Sequence, residues 1–151
     1  MMKTKDNAKF HIVAVKAWVK KGDRYLLARR SMEELHMPGA WSLPGGKVEN
    51  DEDTIDILQK TLKREIFEEV GLEITNEIEL LFNNTFKRSD GSYVVGLTFF
   101  THWKSGEAEP LEETSEVEWF TIEELLGMDD IEYFLKREIS VLDKYHNLKS
   151  T

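Results

Sequence analysis

Three glutamates lie within five positions of the stretch REIFEEVGL, residues 64–72: Glu65, Glu68 and Glu69. In a helix each residue turns by about 100°, so Glu69 lies about 40° to one side of Glu65 and Glu68 about 60° to the other. The three carboxylates then share a sector roughly 100° wide. Carboxylate oxygens grouped in this way suit a hard divalent cation such as Mg²⁺, which keeps water and phosphate among its other ligands.

The apolar positions of the same segment predict a buried helix face that borders these carboxylates. They recur at three- and four-residue spacing and are Ile55, Leu58, Leu62, Ile66 and Val70. Carboxylates at such a border are partly desolvated, and their mutual repulsion is weakly screened. Either one of them stays protonated or a cation lies between them. An ordinary solvated acidic face, in which Arg64 pairs with Glu68, is the alternative that this stretch leaves open.

A glycine pair lies upstream, where Pro44, Gly45 and Gly46 follow a short predicted strand and lead toward the acidic helix. An ordinary turn would use the same residue types. Glycine also lets backbone carbonyl and amide groups approach a metal or a phosphate closely. The order of strand, glycine turn and acidic helix therefore predicts a loop carbonyl near the carboxylates.

Apolar and β-branched runs predict the sheet that must position these groups. The predicted strands cover residues 10–19, 24–30, 41–46, 92–103 and 117–120, with a further strand within 77–86. The acidic helix is predicted from Thr54 to Val70, with Asp51 or Asp53 as its N-cap and Gly71 as its C-cap. Strands around a central helix predict one mixed α/β domain over residues 1–151.

Two further helices are predicted toward the C-terminus. The segment TIEELL begins with a capping-box pattern that joins Thr121 and Glu124. The last helix is predicted from about Ile131 to Leu148, with Asp129 or Asp130 as its cap.

Composition narrows the possible partners. The chain has 20 lysines and arginines against 29 acidic residues, a formal net charge of −9. This balance disfavours nucleic acid or an anionic membrane, but it allows a nucleotide because a bound metal reverses the local charge. The chain has no cysteine, which excludes disulfides and thiolate chemistry. With no signal core and no apolar run of about 20 residues, we expect a soluble cytoplasmic protein.

The order GG…E…REIFEEVGL resembles the signature box of the Nudix (MutT-like) hydrolases. That box reads Gly, five residues, Glu, seven residues, then Arg-Glu-apolar-X-Glu-Glu-X-Gly-apolar. The matching positions are Gly46, Arg64, Glu65, Ile66, Glu68, Glu69, Gly71 and Leu72. The flanking stretches YLLARR, PGAWSLPGG and EVEWFTIEEL also resemble the family, so the likeness extends from about residue 10 to residue 126.

The chain departs from the box at its first glutamate. Eleven residues, rather than seven, separate Glu52 from Arg64, and Asp56 stands at the seven-residue spacing. The four extra residues amount to about one helical turn. Glu49, Glu52 and Asp56 are therefore all candidates for this position. On a regular helix Asp56 would lie about 180° from Glu65, which disfavours it as a ligand of the same metal.

The resemblance implies an α/β/α sandwich around a mixed sheet. It also implies hydrolysis of nucleoside diphosphates linked to another moiety, by attack of water on phosphorus with the help of Mg²⁺ or Mn²⁺. By the same resemblance Glu68 and Glu69 are the main metal ligands, and the carbonyl of Gly45 or Gly46 is another. Glu65 would orient or deprotonate water or share a metal, while Arg64 would hold Glu68 or another carboxylate in place.

Many members of that family add a glutamate from a loop beyond the box. The candidates here are Glu112, Glu113, Glu116 and Glu118. Glu116 is preferred, because EVEW resembles the family segment before the last strand, and Glu113 is second. A solvated acidic loop is the alternative for each.

For substrate contacts the predicted residues are Arg29, Trp119 and Asp129, since base-binding sites combine an aromatic ring with a few polar groups. Core packing for the tryptophan and helix capping for the aspartate are the alternatives. The short chain favours hydrolysis of a nucleoside triphosphate, including a modified or oxidised one, to the monophosphate and pyrophosphate. The alternatives are ADP-ribose or another sugar nucleotide, a dinucleoside polyphosphate, and a non-catalytic nucleotide sensor. A monomer or a homodimer is expected.

Overall fold

In the computed structural model, residues 10–33, 38–49 and 54–150 are described. Their helices and strands follow one another as β1 (His11–Lys21), β2 (Arg24–Arg30), β3 (Trp41–Ser42), β4 (Gly45–Lys47), α1 (Ile57–Val70), β5 (Glu73–Ile74), β6 (Glu79–Lys87), β7 (Tyr93–Ser105), β8 (Thr114–Thr121), α2 (Ile122–Leu126) and α3 (Tyr133–Ser150). Within these residues no helix is long and apolar enough to cross a membrane.

The strands form a mixed sheet around a long parallel pair, β1 and β7. On their far sides β6 pairs antiparallel with β7, and β8 pairs antiparallel with β2. β1 and β2 are paired next to their hairpin turn, at Lys20–Tyr25 and Lys21–Arg24. The chain that follows β2 returns to the sheet, where β3 pairs antiparallel with β2 and β4 pairs antiparallel with β1. Gly45 and Gly46, called the glycine segment here, are therefore part of the sheet.

Each face of the sheet packs against its own helix. On the α1 face the buried residues include Val15, Val19, Leu26, Leu62, Ile66 and Val70. On the opposite face, called the α3 face here, they include Trp18, Tyr25, Leu27, Leu125, Leu135 and Ile139. Helix, sheet and helix form three layers, which confirms the predicted α/β/α sandwich.

A buried polar network fixes α3 against β1. The carboxylate of Glu138 accepts hydrogen bonds from Trp18 Nε1 and from Lys16 Nζ, each at 3.0 Å. The Lys16 ammonium also lies 5.0 Å from the ring centroid of Phe134. The Glu138 side chain is only 11% exposed. Each of its oxygens has a hydrogen-bond partner, as buried polar groups generally do.

The predicted start of the acidic helix is wrong by three residues. α1 begins at Ile57, because Asp56 adopts a left-handed backbone with φ of 60° and makes no side-chain cap bond. Ile55, which the pattern placed on the buried face, precedes the helix and is 80% exposed. Asp51 and Asp53, the predicted N-caps, lie outside the described residues. The C-cap is confirmed, since Gly71 has φ of 76° and donates its N–H to the Phe67 carbonyl.

Other predicted boundaries also shift. The strand predicted over 41–46 is divided into β3 and β4, because the Pro44 carbonyl turns to accept a bond from Ala17 N at 3.1 Å. β8 begins at Thr114 rather than at residue 117, since it pairs with β2 as far as Arg30. α3 begins at Tyr133 rather than Ile131. The capping box of α2 is confirmed, with Thr121 and Glu124 bonded in both directions.

Candidate active site

Helix α1 carries the three glutamates on the side that faces the glycine segment. Arg64 Nη1 lies 3.0 Å from Glu65 Oε1 and 3.2 Å from Glu68 Oε2. The Glu65 side chain is 17% exposed and the Glu68 side chain is 40% exposed. One guanidinium therefore contacts two carboxylates on the rim of the helix, and the positioning role of Arg64 stays a prediction.

Both glycines of the upstream segment lie in close approach to other groups of the chain. Gly45 and Gly46 pair with Lys16 and Val15 in the β1–β4 ladder. A Cβ at Gly45 would overlap the β1 backbone, and a Cβ at Gly46 would overlap the carboxyl group of Glu65. The bare backbone at Gly46 therefore makes the space that Glu65 occupies.

Glu69 is the most perturbed carboxyl group of the site. Burial raises its pKa from 4.5 to about 8; the carboxylates of Glu65, Glu112 and Glu113 act in the same direction, and Arg30 opposes them. Burial also raises the pKa of Glu65, with Arg64 opposing the shift. Without a cation Glu69 holds a proton at neutral pH, and a divalent ion beside it favours the ionised form.

Glu69 lines a small cleft between the end of β2, the glycine segment and the start of β8. The other lining residues are Ala28, Arg29, Arg30, Ser42, Leu43, Gly45, Glu113 and Thr114. A guanidinium, a carboxyl group and a glycine backbone thus border one opening. Phosphate oxygens bind to groups of this kind when a cation offsets the carboxylate charge.

The loop at residues 106–113 is fastened to the C-terminal end of α1. Glu109 N donates to the Val70 carbonyl and Leu111 N donates to the Glu69 carbonyl, each at 3.0 Å. These bonds satisfy carbonyl groups that a helix end leaves without intrahelical partners. Glu112 follows with φ of 49°, a conformation that few non-glycine residues adopt. The loop thereby brings Glu112 and Glu113 close enough to act on the pKa of Glu69.

Glu116, the preferred loop glutamate, is placed differently. It pairs with Arg29 across the β2–β8 ladder, with Oε1 3.2 Å from Arg29 Nη1. Glu112, in contrast, is among the groups that raise the pKa of both Glu65 and Glu69. The geometry favours Glu112 and Glu113 over Glu116 as the loop contribution to the carboxylate group.

The two arginines that end β2 point to opposite faces of the sheet. Arg29 lies on the α3 face, with its guanidinium 4.9 Å from the Trp41 ring centroid and Nη2 3.6 Å from Asp130 Oδ2. Arg30 acts electrostatically on Glu69 on the α1 face. Sequence reasoning selected Arg29 and missed Arg30. The two-residue period of a strand could have identified Arg30, because it puts Arg30 on the same face as Ala28.

The other predicted substrate residues do not converge. Asp129 is exposed, beside Asp130 in the segment that precedes α3. Trp119 lies opposite Leu26 and packs on the α1-face core, with Lys21 Nζ 5.7 Å from its ring centroid. The sheet therefore separates Trp119 from the cluster of Arg29 and Asp130.

The candidate metal ligands are close to one another but not gathered on one point. Within the described residues, no three acidic or histidine side chains are arranged to hold a metal ion. Arg64 holds Glu65 and Glu68, so these side chains must turn toward Glu69 to share a cation. The donor set nevertheless fits Mg²⁺ or Mn²⁺, because it consists of carboxylate and backbone oxygens and includes a buried carboxyl group with a raised pKa.

The equivalent of the first box glutamate stays a prediction. Glu49 and Asp56 are both exposed. Asp56 lies before the regular helix, so the 180° separation expected on a continuous helix does not apply to it. Glu52 lies outside the described residues.

Comparison with known proteins gives consistent matches. The chain matches the family model of the NUDIX domain over residues 10–140. It is 31% identical over 100 residues to a Proteus vulgaris protein named 8-oxo-dGTP diphosphatase, a match that covers 66% of this chain and 83% of that protein. It is 30% identical over 116 residues to a MutT-like protein of Streptomyces ambofaciens, which covers 76% and 67% respectively. The crystal structure of the MutT protein from Methanosarcina mazei Go1 superimposes with a TM-score of 0.75 at 26% identity, over 91% of this chain and 96% of the other.

Proposed function

Because the chain belongs to the Nudix family and is a Nudix pyrophosphohydrolase, we propose that it hydrolyses a nucleoside triphosphate to the monophosphate and pyrophosphate. The observation that carries this proposal is the burial of Glu69 in a cleft that Arg30 and Gly45 also line. The name of the Proteus vulgaris relative supports a purine triphosphate, including an oxidised one, as the substrate.

The residues assigned to a divalent cation are Glu65, Glu68 and Glu69, with the Gly46 carbonyl and a loop glutamate, Glu112 or Glu113, completing the oxygen donors. When bound, Mg²⁺ or Mn²⁺ neutralises phosphate charge and makes a coordinated water more acidic. This assignment explains why carboxylates are grouped where burial disfavours their charge.

The chain's own groups divide the remaining tasks. Glu65, which lies between Gly46 and Arg64, orients the attacking water or accepts its proton. Arg64 holds Glu65 and Glu68 and does not contact substrate. Arg30, beside Glu69, neutralises a phosphate oxygen. Attack of water on phosphorus forms one P–O bond and breaks the P–O bond of the α–β anhydride, so the products are the monophosphate and pyrophosphate.

The base is assigned to the α3 face at the end of β2, on the opposite side of the sheet from Glu69, so the triphosphate would pass the end of β2 to reach the cleft. Arg29 and Asp130 form an ion pair there, above the ring of Trp41, and Asp129 is adjacent in sequence. Aspartate carboxylates accept hydrogen bonds from amino and ring N–H groups of a purine. Because Trp41 is only 5% exposed and Arg29 covers its ring, the aspartates rather than the ring would contact the base.

The test is a product assay with the purified chain and Mg²⁺. The substrates are the common and oxidised nucleoside triphosphates, ADP-ribose and a dinucleoside polyphosphate. We expect a monophosphate and pyrophosphate from a nucleoside triphosphate. Stepwise release of inorganic phosphate, or turnover of ADP-ribose alone, would contradict the proposal. Nucleotide binding without any turnover would indicate a sensor.

Matched variants connect the activity to the site. Glu68→Gln and Glu69→Gln each remove one charge from the carboxylate group, and we expect kcat to fall by about a hundredfold or more, since coordinated cations supply several kcal/mol. Glu123→Gln makes the same change at an exposed position of α2 and should leave kcat unchanged. Equal rates in all three variants would exclude the assigned site.

A further inference from the structure

Strand β6 forms an open edge of the sheet. Over Glu79–Lys87 it pairs with β7 on one side, and no other strand pairs with it in the part of the chain that the structure describes. Seven of its nine residues are exposed. An open edge presents backbone N–H and C=O groups that can pair with a further strand.

This edge lacks the residues that usually prevent such pairing. Residues 80–86 are seven consecutive uncharged positions, without proline, in a chain that is 32% charged. Leu80 and Phe86 are 52% and 48% exposed. The register shifts once, between Leu80 and Phe82, so the stretch from Phe82 to Lys87 is regular. Natural edges are commonly blocked by charge, proline or bulges. Phe82 to Lys87 is a regular edge without a central charge.

The turn after β6 shows which backbone groups face outward. Arg88 N donates to the Ser92 carbonyl at 2.8 Å. Hydrogen-bonded and non-hydrogen-bonded pairs alternate in an antiparallel ladder, so after the register shift the even-numbered residues from Phe82 to Phe86 direct their backbone groups to β7. The backbone groups of Asn83 and Thr85 therefore point away from the sheet.

We propose that β6 pairs with β6 of a second copy of this chain, antiparallel, about a twofold axis at Asn84. In this register Asn83 exchanges two backbone hydrogen bonds with the partner's Thr85, and Thr85 does so with the partner's Asn83. Phe82 faces the partner's Phe86 in a non-hydrogen-bonded pair, where side chains are closest. Both phenylalanines lie on one face, because each is an even number of residues from Asn84. Aromatic cross-strand pairs stabilise an antiparallel sheet.

The charges at the two ends of β6 favour this partner and this direction. Glu77 and Glu79 lie at the start of the strand, and Lys87 and Arg88 lie at its end. An antiparallel copy places the acidic end of each strand beside the basic end of the other, at both ends of the interface. A parallel copy would place like charges together, which is destabilising.

The first test is the molar mass of the full chain in solution by light scattering. We expect twice the 17.6 kDa of one chain. Phe86→Lys puts a charge into the neutral centre of the interface and should give the single-chain mass. The matched control is Leu126→Lys on α2, which replaces an apolar residue that is 55% exposed and should stay dimeric. A wild-type monomer at every concentration, or a Phe86→Lys dimer, would overturn the proposal. If the wild type is monomeric, the open edge of β6 would be available to a different protein.

The second test fixes the register and does not depend on how the lysine variants fold. Because the chain has no cysteine, a single introduced cysteine can form a disulfide only with the same cysteine of a second molecule. Asn84→Cys places two Cα atoms about 4.5 Å apart across the axis, within the range of a disulfide. Asn83→Cys places them more than about 7 Å apart, because residue 83 faces residue 85 of the partner. Under mild oxidation we expect Asn84→Cys to cross-link at least about tenfold faster. Equal rates, or a faster Asn83→Cys, would refute the register.

Discussion

The raised pKa of Glu69 makes the stability of the metal-free protein depend on pH in a direction opposite to that of an ordinary salt-bridged carboxylate. The pKa is about 8 in the folded chain against 4.5 for an ordinary glutamate. Between these values the folded state holds a proton that the unfolded state has lost. The stabilisation is therefore complete below about pH 4.5 and is lost as the pH rises to about 8. Glu65, whose pKa is also raised, acts in the same direction.

The size of the effect follows from the shift. One pKa unit corresponds to about 1.4 kcal/mol. The rise from 4.5 to about 8 at Glu69 gives an upper limit of about 5 kcal/mol between the two ends of this range. The measured difference should be smaller if the ionised side chain turns toward solvent. Glu69→Gln keeps the shape of the side chain and removes its titration, so the variant should be more stable than the wild type at about pH 8 and equally stable at about pH 5.

Urea unfolding in the presence of a chelator, at several pH values, measures this difference. Added Mg²⁺ should stabilise the wild type more at about pH 8 than at about pH 5, because protons compete with the cation for Glu69. The same addition should stabilise Glu69→Gln less. Glu123→Gln, which changes an exposed glutamate, should follow the wild type throughout. Parallel pH profiles for the wild type and Glu69→Gln would refute the inference that Glu69 is protonated in the metal-free site.

Three further changes test other parts of the structure. Gly46→Ala should lower kcat/KM by about a hundredfold, because the added Cβ displaces Glu65. The control is Gly127→Ala, whose Cβ would meet its nearest atom at 3.6 Å. Steady-state kinetics of both variants measure the difference. Arg30→Gln should raise KM by about tenfold to a hundredfold through a lost charge-assisted phosphate contact, whereas an unchanged KM would remove Arg30 from the substrate site. Glu138→Gln should lower the free energy of unfolding by about 2 kcal/mol, less than the roughly 3–5 kcal/mol for a fully buried ion pair because Lys16 is 29% exposed. The same variant should leave KM unchanged.

The residues that the sequence predicted well are those fixed by local geometry. The three-to-four-residue spacing of Leu62, Ile66 and Val70 determines which side of α1 is buried, and the glutamates follow from it by rotation alone. Gly71 was predictable for the same reason, since a glycine after the last apolar position is typical of a left-handed C-cap. The start of α1 was not predictable in this way, because the left-handed backbone of Asp56 stops the helix where the apolar pattern continues.

Predicting which arginine at the end of β2 faces Glu69 requires the alternation of side chains along the strand, which the sequence also contains. Arg29 and Arg30 have the same chemistry and differ only in the face to which they point. Leu26 and Ala28 belong to the core beside α1, and the alternation of the strand carries that assignment on to Arg30. A shift of one residue along a strand moves a side chain to the opposite layer of the fold, so the prediction of Arg29 did not extend to Arg30.

The loop glutamate depends on contacts between segments distant in sequence, and local patterns do not encode these. Two bonds from Glu109 N and Leu111 N to the last carbonyls of α1 fix where the loop passes. The left-handed backbone of Glu112 then brings the loop back toward β8, a conformation that costs on the order of 1 kcal/mol or more for a residue with a side chain. A glycine would adopt this conformation without that cost. Because Glu112 stands at this strained position and acts on the pKa of both Glu65 and Glu69, we expect its carboxylate to serve the site rather than the loop. Glu112→Gly separates the two roles, since it should stabilise the chain and lower kcat, whereas a fully active Glu112→Gly would assign the strain to the loop alone.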